Sequence, residues 1–350
     1  MEVFRFKRFE VRNELAAQKV GTDAVLLGAA LTLPDEPPHT AGDVRQERSD
    51  KSEAPGVPGA EPPQTAGDVQ RLLDIGTGTG VIALMVAQRL ADRIKSQGMS
   101  AEAPGKPSGT QPHFKILAID IDPAAASEAT ANFAASPWAP SLHAEALSLN
   151  DLERHLDSLD MAAESCERRE CRLADAPGGQ RPFPACPEEK HPFAAIFSNP
   201  PYFEASLKAP DARRSTARHT DTLSYREICA FAASHLTPDG ILSLILPASE
   251  EQPLLRYATS FGLRPFRILR IHTTARKPAS RIIAEFRRTK TSSTPGDTSH
   301  ASDTSHASSS TPINNGRPQN LNALPAEELI LMSGTDRSPA YAALTKDFYL

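Results

Sequence analysis

Three short polar motifs interrupt apolar stretches of this chain, and each carries residues able to hold or activate a ligand. Asp74-Ile-Gly76-Thr77-Gly78-Thr-Gly80 sets three glycines in five residues behind an acid. Glycine lets the backbone adopt left-handed conformations and approach a ligand closely, at an entropic cost that makes such a cluster expensive in a plain turn. Where the turn opens a helix, its amides also face the ligand at the positive helix end. Asp120 ends a second apolar run, where a carboxylate can accept both hydrogen bonds of a ribose diol. As a lone acid it reads as a helix cap, but Asp122-Pro123 already fills that role.

The third motif, Asn199-Pro200-Pro201-Tyr202, separates one chemistry from another. Two other Pro-Pro pairs occur, Pro37-Pro38 and Pro62-Pro63, both inside a proline-rich tract; only the third directly follows an apolar strand and lies between an amide and an aromatic. Two prolines restrict the backbone, so the Asn199 side-chain oxygen and the Pro200 carbonyl can aim together at one NH₂ group. Tyr202 can stack on a planar base. An exocyclic adenine amine is a poor nucleophile because its lone pair is delocalised into the ring. Two acceptors on its hydrogens favour a pyramidal nitrogen, and positioning with electrostatics then supplies most of the catalysis. The base would have to be presented unstacked.

Two nucleotide ligands fit the glycine motif. Gly78-Thr-Gly80-Val-Ile-Ala83 satisfies the dinucleotide pattern G-x-G-x-x-A, which expects a pyrophosphate. Asp74, two residues before the first glycine, instead suits a positively charged ligand, and S-adenosylmethionine carries an ammonium and a sulfonium but no phosphate. Asp120 serves either.

The elements that must position these motifs follow a strand, turn, helix grammar. Strands are expected at Arg71–Ile75, Lys115–Ile119, Phe193–Ser198, Gly240–Pro247, Leu263–His272 and Arg281–Phe286. Helices are expected at Thr22–Leu33, Val81–Leu90, from Asp122 to about Ala135, at Ser224–His235 and at Glu250–Phe261. Glu328–Met332 reads as an edge strand and Pro339–Tyr349 as a short helix. Alternating strands and helices imply an α/β fold, a mostly parallel sheet with helices on both faces. All three polar motifs then fall at strand carboxyl ends, where such sheets bind ligands.

Of 350 residues, 31 are proline and 19 glycine, and proline exceeds its usual share of about 5%. The excess sits in four low-complexity tracts, 34–70, 96–113, 154–192 and 289–322, expected to be disordered loop insertions because they offer too few apolar residues to offset their ordering entropy. The ordered core is then a single domain of about 1–33, 71–95, 114–153, 193–288 and 323–350. No run reaches the roughly 18 apolar residues of a membrane span, and Met1–Arg12 lacks a signal-peptide apolar core, so the chain is expected to be cytoplasmic and without membrane contact; a monomer is expected as well. Four cysteines are too few for a disulfide scaffold and show no C-x-x-C spacing, so no metal is expected.

Net charge is −5, but Phe203–Lys290 holds 15 Lys/Arg against 8 Asp/Glu, so an anionic partner would meet that half. Arg213, Arg214, Arg218 and His219 follow the Asn-Pro-Pro-Tyr quartet and are candidates for the phosphates flanking a displaced base.

At these residues the chain resembles the bacterial tRNA adenine N6-methyltransferases that modify adenine-37 of a valine tRNA. The resemblance covers Phe6–Leu33, Leu72–Arg89, Leu117–Trp138, Ala195–Leu246 and Lys277–Arg287. Its more specific parts are Lys19-Val-Gly-Thr-Asp-Ala-Val-Leu-Leu-Gly28, Ala135-Ser-Pro-Trp138 and the stretch Arg213–Thr220. It implies a Rossmann-like class I methyltransferase, S-adenosylmethionine as cofactor at Asp74, Gly76, Thr77, Gly78, Gly80 and Asp120, and the target amine of a tRNA at Asn199, Pro200, Pro201 and Tyr202. Thr22 and Asp23 would lie near the cofactor. Ser148 stands where many relatives carry an acid near the cofactor adenine. Three other readings share parts of this pattern: a release-factor glutamine methyltransferase, an rRNA guanine N2-methyltransferase, and a module that binds the cofactor or a dinucleotide without turnover. About 33 residues before the first tract leave little room for the helical substrate domain of the first, and the intact quartet weighs against the last.

Overall fold

Apolar runs that end on a polar turn become the centre of the sheet. The computed structural model describes residues 2–16, 19–34, 69–97, 113–166, 193–201, 223–288 and 326–349. In chain order the elements are β1 (Val3–Arg5), β2 (Glu10–Arg12), α1 (Thr22–Ala30), β3 (Gln70–Ile75), α2 (Val81–Ser96), β4 (Phe114–Asp120), α3 (Pro123–Ala134), β5 (Leu142–Ala146), α4 (Leu149–Cys166), β6 (Phe193–Ser198), α5 (Tyr225–His235), β7 (Leu236–Pro247), α6 (Glu251–Ser260), β8 (Leu263–Thr274), β9 (Arg281–Arg288), β10 (Ala326–Ser333), β11 (Asp336–Arg337) and α7 (Pro339–Thr345).

Nine strands form one mixed sheet in the order β11-β10-β8-β9-β7-β6-β3-β4-β5. β5, β4, β3, β6 and β7 are parallel neighbours, β9 is antiparallel to both β7 and β8, and β10 returns parallel to β8. The chain builds outward from β3 to β4 and β5, then crosses to β6 on the other side of β3. That reversal opens a crevice outside the carboxyl ends of β3 and β6.

Alternation along the strands divides the core between the two faces. Leu72, Ile116, Ala195 and Phe197 pack on the side of α1, α2 and α3, while Leu73, Leu117 and Ile196 pack on the side of α5 and α6. Period-two strands buried on both faces need apolar residues at every position, which is why these runs read as continuous. Among the described residues, no helix is long and apolar enough to cross a membrane.

Three expectations change. Residues 154–166, assigned from sequence to the third tract, continue α4 as helix. β5 was not anticipated: Leu-His-Ala-Glu-Ala has one fully buried residue, Leu142, because it pairs only with β4 at the sheet edge. β10, expected as an edge strand, is paired on both sides, with β8 and with β11.

Candidate active site

The glycine turn between β3 and α2 carries three left-handed residues, Gly76, Gly78 and Gly80, with φ of 70°, 56° and 81°. An L side chain is strained at each. At Gly80 it would also collide: a Cβ there would lie 2.5 Å from Phe133 Cε1 of α3. The turn is fastened to β4, since Gly76 and Thr77 both donate backbone N–H bonds to the Ile119 carbonyl, at 2.9 and 3.0 Å.

Asp74 lies one residue before the end of β3 and is 0% exposed. Thr77 Oγ1 donates to its Oδ2 at 2.7 Å, while Oδ1 has no hydrogen-bond partner among the described residues. Burial, reinforced by the nearby Asp120 charge and opposed chiefly by the Thr77 hydroxyl, pushes the Asp74 carboxyl up to about 7. A buried carboxyl with an unused oxygen is costly unless a ligand completes it. A cation is the ligand that would do so and draw the group back to its ionised form, which fits the ammonium-bearing S-adenosylmethionine and gives no foothold to a pyrophosphate.

Asp120 closes the other wall. Its Oδ2 accepts from the Gly78 amide and its Oδ1 from the Asp122 amide, each at 2.9 Å. Two of roughly four acceptor directions are thus used to join the glycine turn to the start of α3, and the remaining lone pairs suit a diol. Asp122 caps α3 by accepting from the Ala124 amide at 2.9 Å, as its sequence position suggested.

Asn199 enters the crevice from β6. Ser198 is the register partner of Ile75, and its hydroxyl donates to the Ile75 carbonyl at 2.7 Å, so Asn199 follows β6 where Gly76 follows β3. Asn199 is 9% exposed and Pro200 is buried, while Pro201 is exposed.

The remaining site candidates divide. Thr22 and Asp23 open α1, and Arg281 Nε donates to Asp23 Oδ2 at 2.8 Å. Arg281 pairs in register with Pro247 at the carboxyl end of β7, which puts Asp23 on the same sheet edge as Asn199 but with its carboxylate engaged by an arginine. Ser148 follows β5, and its hydroxyl both donates to Asp151 Oδ2 at 2.7 Å and accepts from the Asp151 amide at 3.1 Å. It therefore caps α4, a role the sequence reading did not assign. Tyr202, Arg213, Arg214, Arg218 and His219 lie outside the described residues.

Two residues of α3 support the site and were missed. Glu128, 3% exposed, accepts three backbone amides, from Glu14 at 2.6, Leu15 at 3.0 and Ala16 at 2.8 Å. Asn132 exchanges hydrogen bonds with the Arg12 backbone and donates to the Thr79 carbonyl at 2.9 Å. Together they attach the segment before α1 to the glycine turn. Their only sequence signal is two polar residues on the apolar side of a helix, four apart.

No family model matches the chain. A Photobacterium profundum protein named tRNA1(Val) (adenine(37)-N6)-methyltransferase is 30% identical over 347 residues, covering 99% of this chain and 98% of that protein. One of the same name from Porphyromonas gingivalis is 33% identical over 286 residues, covering 82% of this chain and 81% of its own length. Among solved structures, one described as a predicted O-methyltransferase from Agrobacterium tumefaciens aligns over 81% of this chain and 92% of its own, at 13% identity and a TM-score of 0.41. That likeness is too distant to carry an argument.

Proposed function

This chain belongs to the tRNA1(Val) (adenine(37)-N6)-methyltransferase family, and from that premise we propose that it transfers a methyl group to the exocyclic N6 amine of adenine-37 in valine tRNA, at the crevice between β3 and β6. The observation that carries the reading is the placement of Asn199 beside a glycine turn whose Asp74 leaves a buried carboxyl oxygen unfilled.

Asp74, the close backbone approach allowed by the glycines of the Gly76–Gly80 turn, and Asp120 would hold the cofactor, with Thr22 and Ser148 at its margins. S-adenosylmethionine, when bound, supplies an electrophilic methyl group on a sulfonium. Asn199 and Pro200 act on the other reactant. The Asn199 amide oxygen and the Pro200 carbonyl accept the two amine hydrogens, which localises the nitrogen lone pair and aims it. As the new N–C bond forms, positive charge develops on the amine, and the same two acceptors stabilise it before one proton leaves to water. Burial of Asn199 strengthens that effect because little solvent competes. Tyr202 would stack on the displaced base, and Arg213, Arg214, Arg218 and His219 would meet the flanking phosphates.

The test is product analysis. Purified enzyme, S-adenosylmethionine and unmodified valine tRNA should yield N6-methyladenosine beside the anticodon, and replacing that adenine with guanine should abolish it. Methylation of a release-factor glutamine with no modification of RNA would overturn the reading.

A further inference from the structure

Between Leu263 and Arg288 the sequence holds eight Lys/Arg and one acid, Glu285, and the structure accounts for most of that excess internally. Arg267 is paired with Glu285 and Glu327, Arg270 with Glu251, and Arg281 with Asp23. Arg287 lies 4.8 Å over the Phe266 ring, and Arg288 donates to the Leu236 carbonyl at 2.9 Å. Arg264 is exposed where β8 begins. Besides Arg264, two cations remain, Arg276 and Lys277, side by side in the turn between β8 and β9. Both are exposed, and among the described residues no acidic side chain pairs with either. The nearest acid of β10, Glu328, is occupied by His272 and Arg270.

This turn is built to be rigid. The Lys277 amide donates to the Thr274 carbonyl at 3.1 Å, the Ser280 amide to Ile271 at 2.8 Å, and the Ala248 amide to the Ser280 carbonyl at 3.2 Å. His272 Nδ1 lies 2.8 Å from the Lys277 carbonyl oxygen, and Pro278 restricts the Lys277 backbone further. A backbone held in this way adds no loop-ordering cost when the tip meets a partner, so only side-chain rotamer freedom is lost.

Register places the tip on the active edge. Ser198 pairs with Leu244, Leu244 with Ala284 and Ala284 with Ile268, and β8 runs on from Ile268 to Thr274. Six residues of rise and three strand spacings put the tip roughly 25 Å from Asn199, beyond the end of β6. Nucleotides stacked at about 3.4 Å each cover that distance in about seven steps.

We propose that the β8–β9 turn, through Arg276 and Lys277, is a second RNA contact that grips phosphates of the helical stem adjoining the modified loop. The inference rests on the tRNA methyltransferase reading and adds to it a reason why the substrate is a folded stem and loop. Phosphate contacts fix register without reading sequence, so this contact sets how far from the stem the base must lie.

The experiment is binding of a labelled anticodon stem–loop RNA in the presence of S-adenosylhomocysteine, over a series of salt concentrations. The double variant Arg276→Ala/Lys277→Ala should bind at least about fivefold more weakly and flatten the log–log salt slope by about one to two units. Its S-adenosylhomocysteine affinity and its rate at saturating RNA should match the unaltered enzyme. Arg264→Ala, at the opposite edge of the sheet, should change none of these. Wild-type affinity and slope in the double variant would overturn the inference and leave the methyltransferase reading standing. If the unaltered enzyme binds the RNA without methylating it, that reading fails, and the salt slopes still decide the role of the turn. If it binds no RNA, both fall.

Discussion

Asp74, near the carboxyl end of β3, and Glu285, in the middle of β9, are both 0% exposed, and their oxygens are treated in opposite ways. Glu285 receives two hydrogen bonds on each oxygen. The Thr32 amide and the Ser243 hydroxyl donate to Oε1, each at 2.7 Å. The Thr32 hydroxyl donates to Oε2 at 2.7 Å and Arg267 at 2.9 Å. Asp74 accepts one well-formed bond, from Thr77 on Oδ2, and only a weaker approach from the Ala83 amide, with Oδ1 left without a full hydrogen bond. A saturated carboxylate ties the segment after α1 to β7, β8 and β9 and has nothing left for a ligand. An unsaturated one is a cost that the folded protein meets by holding a proton, or that a partner from outside can offset. Burial alone does not separate these two acids; the count of remaining acceptor directions does.

The comparison breaks most visibly at Glu285. Glu285→Ala leaves the Arg267 guanidinium buried with half of its compensation gone, and should cost about 3–5 kcal/mol of unfolding free energy in chemical denaturation. S-adenosylhomocysteine affinity of the folded fraction should stay within about twofold. A loss below about 1 kcal/mol would mean that the Glu285 network contributes little.

Asp74→Asn should do the reverse. The folded protein keeps a proton on Asp74 up to about pH 7, whereas an unfolded aspartate releases it near pH 4. Between those values the folded state binds more protons, so this group's contribution to stability is full at low pH and falls as pH rises. Three units correspond to at most about 4 kcal/mol. The Asn variant, which cannot ionise, should be the more stable protein at pH 8 by about 1–3 kcal/mol, and should bind S-adenosylmethionine at least tenfold more weakly. Equal stability of the two proteins from pH 5 to 8 would remove the contrast.

Much of this was legible in the sequence, and the limit has a physical cause. β3, β4 and β6 announce themselves because a strand buried on both faces must be apolar throughout, and each ends on a polar motif. Asp122-Pro123 and Ser224 mark helix starts by local chemistry, and both act as caps. β5 was missed because an edge strand of small and polar residues has no pattern to read. The start of the third tract was misassigned because α4 continues through a polar stretch. The Glu285 network and the attachments made by Glu128 and Asn132 were invisible because their partners are more than fifty residues away, or on strands whose neighbours no local pattern specifies. Asp23 was placed near the cofactor on resemblance; its pairing with Arg281, 258 residues on, follows only from the register of β7 and β9.

If Asn199 acts on the reacting amine, neither cofactor binding nor the fold should depend on its side chain. Single-turnover methyl transfer by Asn199→Ala, measured beside calorimetric cofactor binding, tests it most directly. Cofactor affinity should stay within about twofold of the unaltered enzyme, and the rate should fall by two orders of magnitude or more, on the order of 3 kcal/mol of transition-state stabilisation. An equal loss of cofactor affinity and rate would contradict it, because Asn199 would then be shaping the crevice instead of holding the amine.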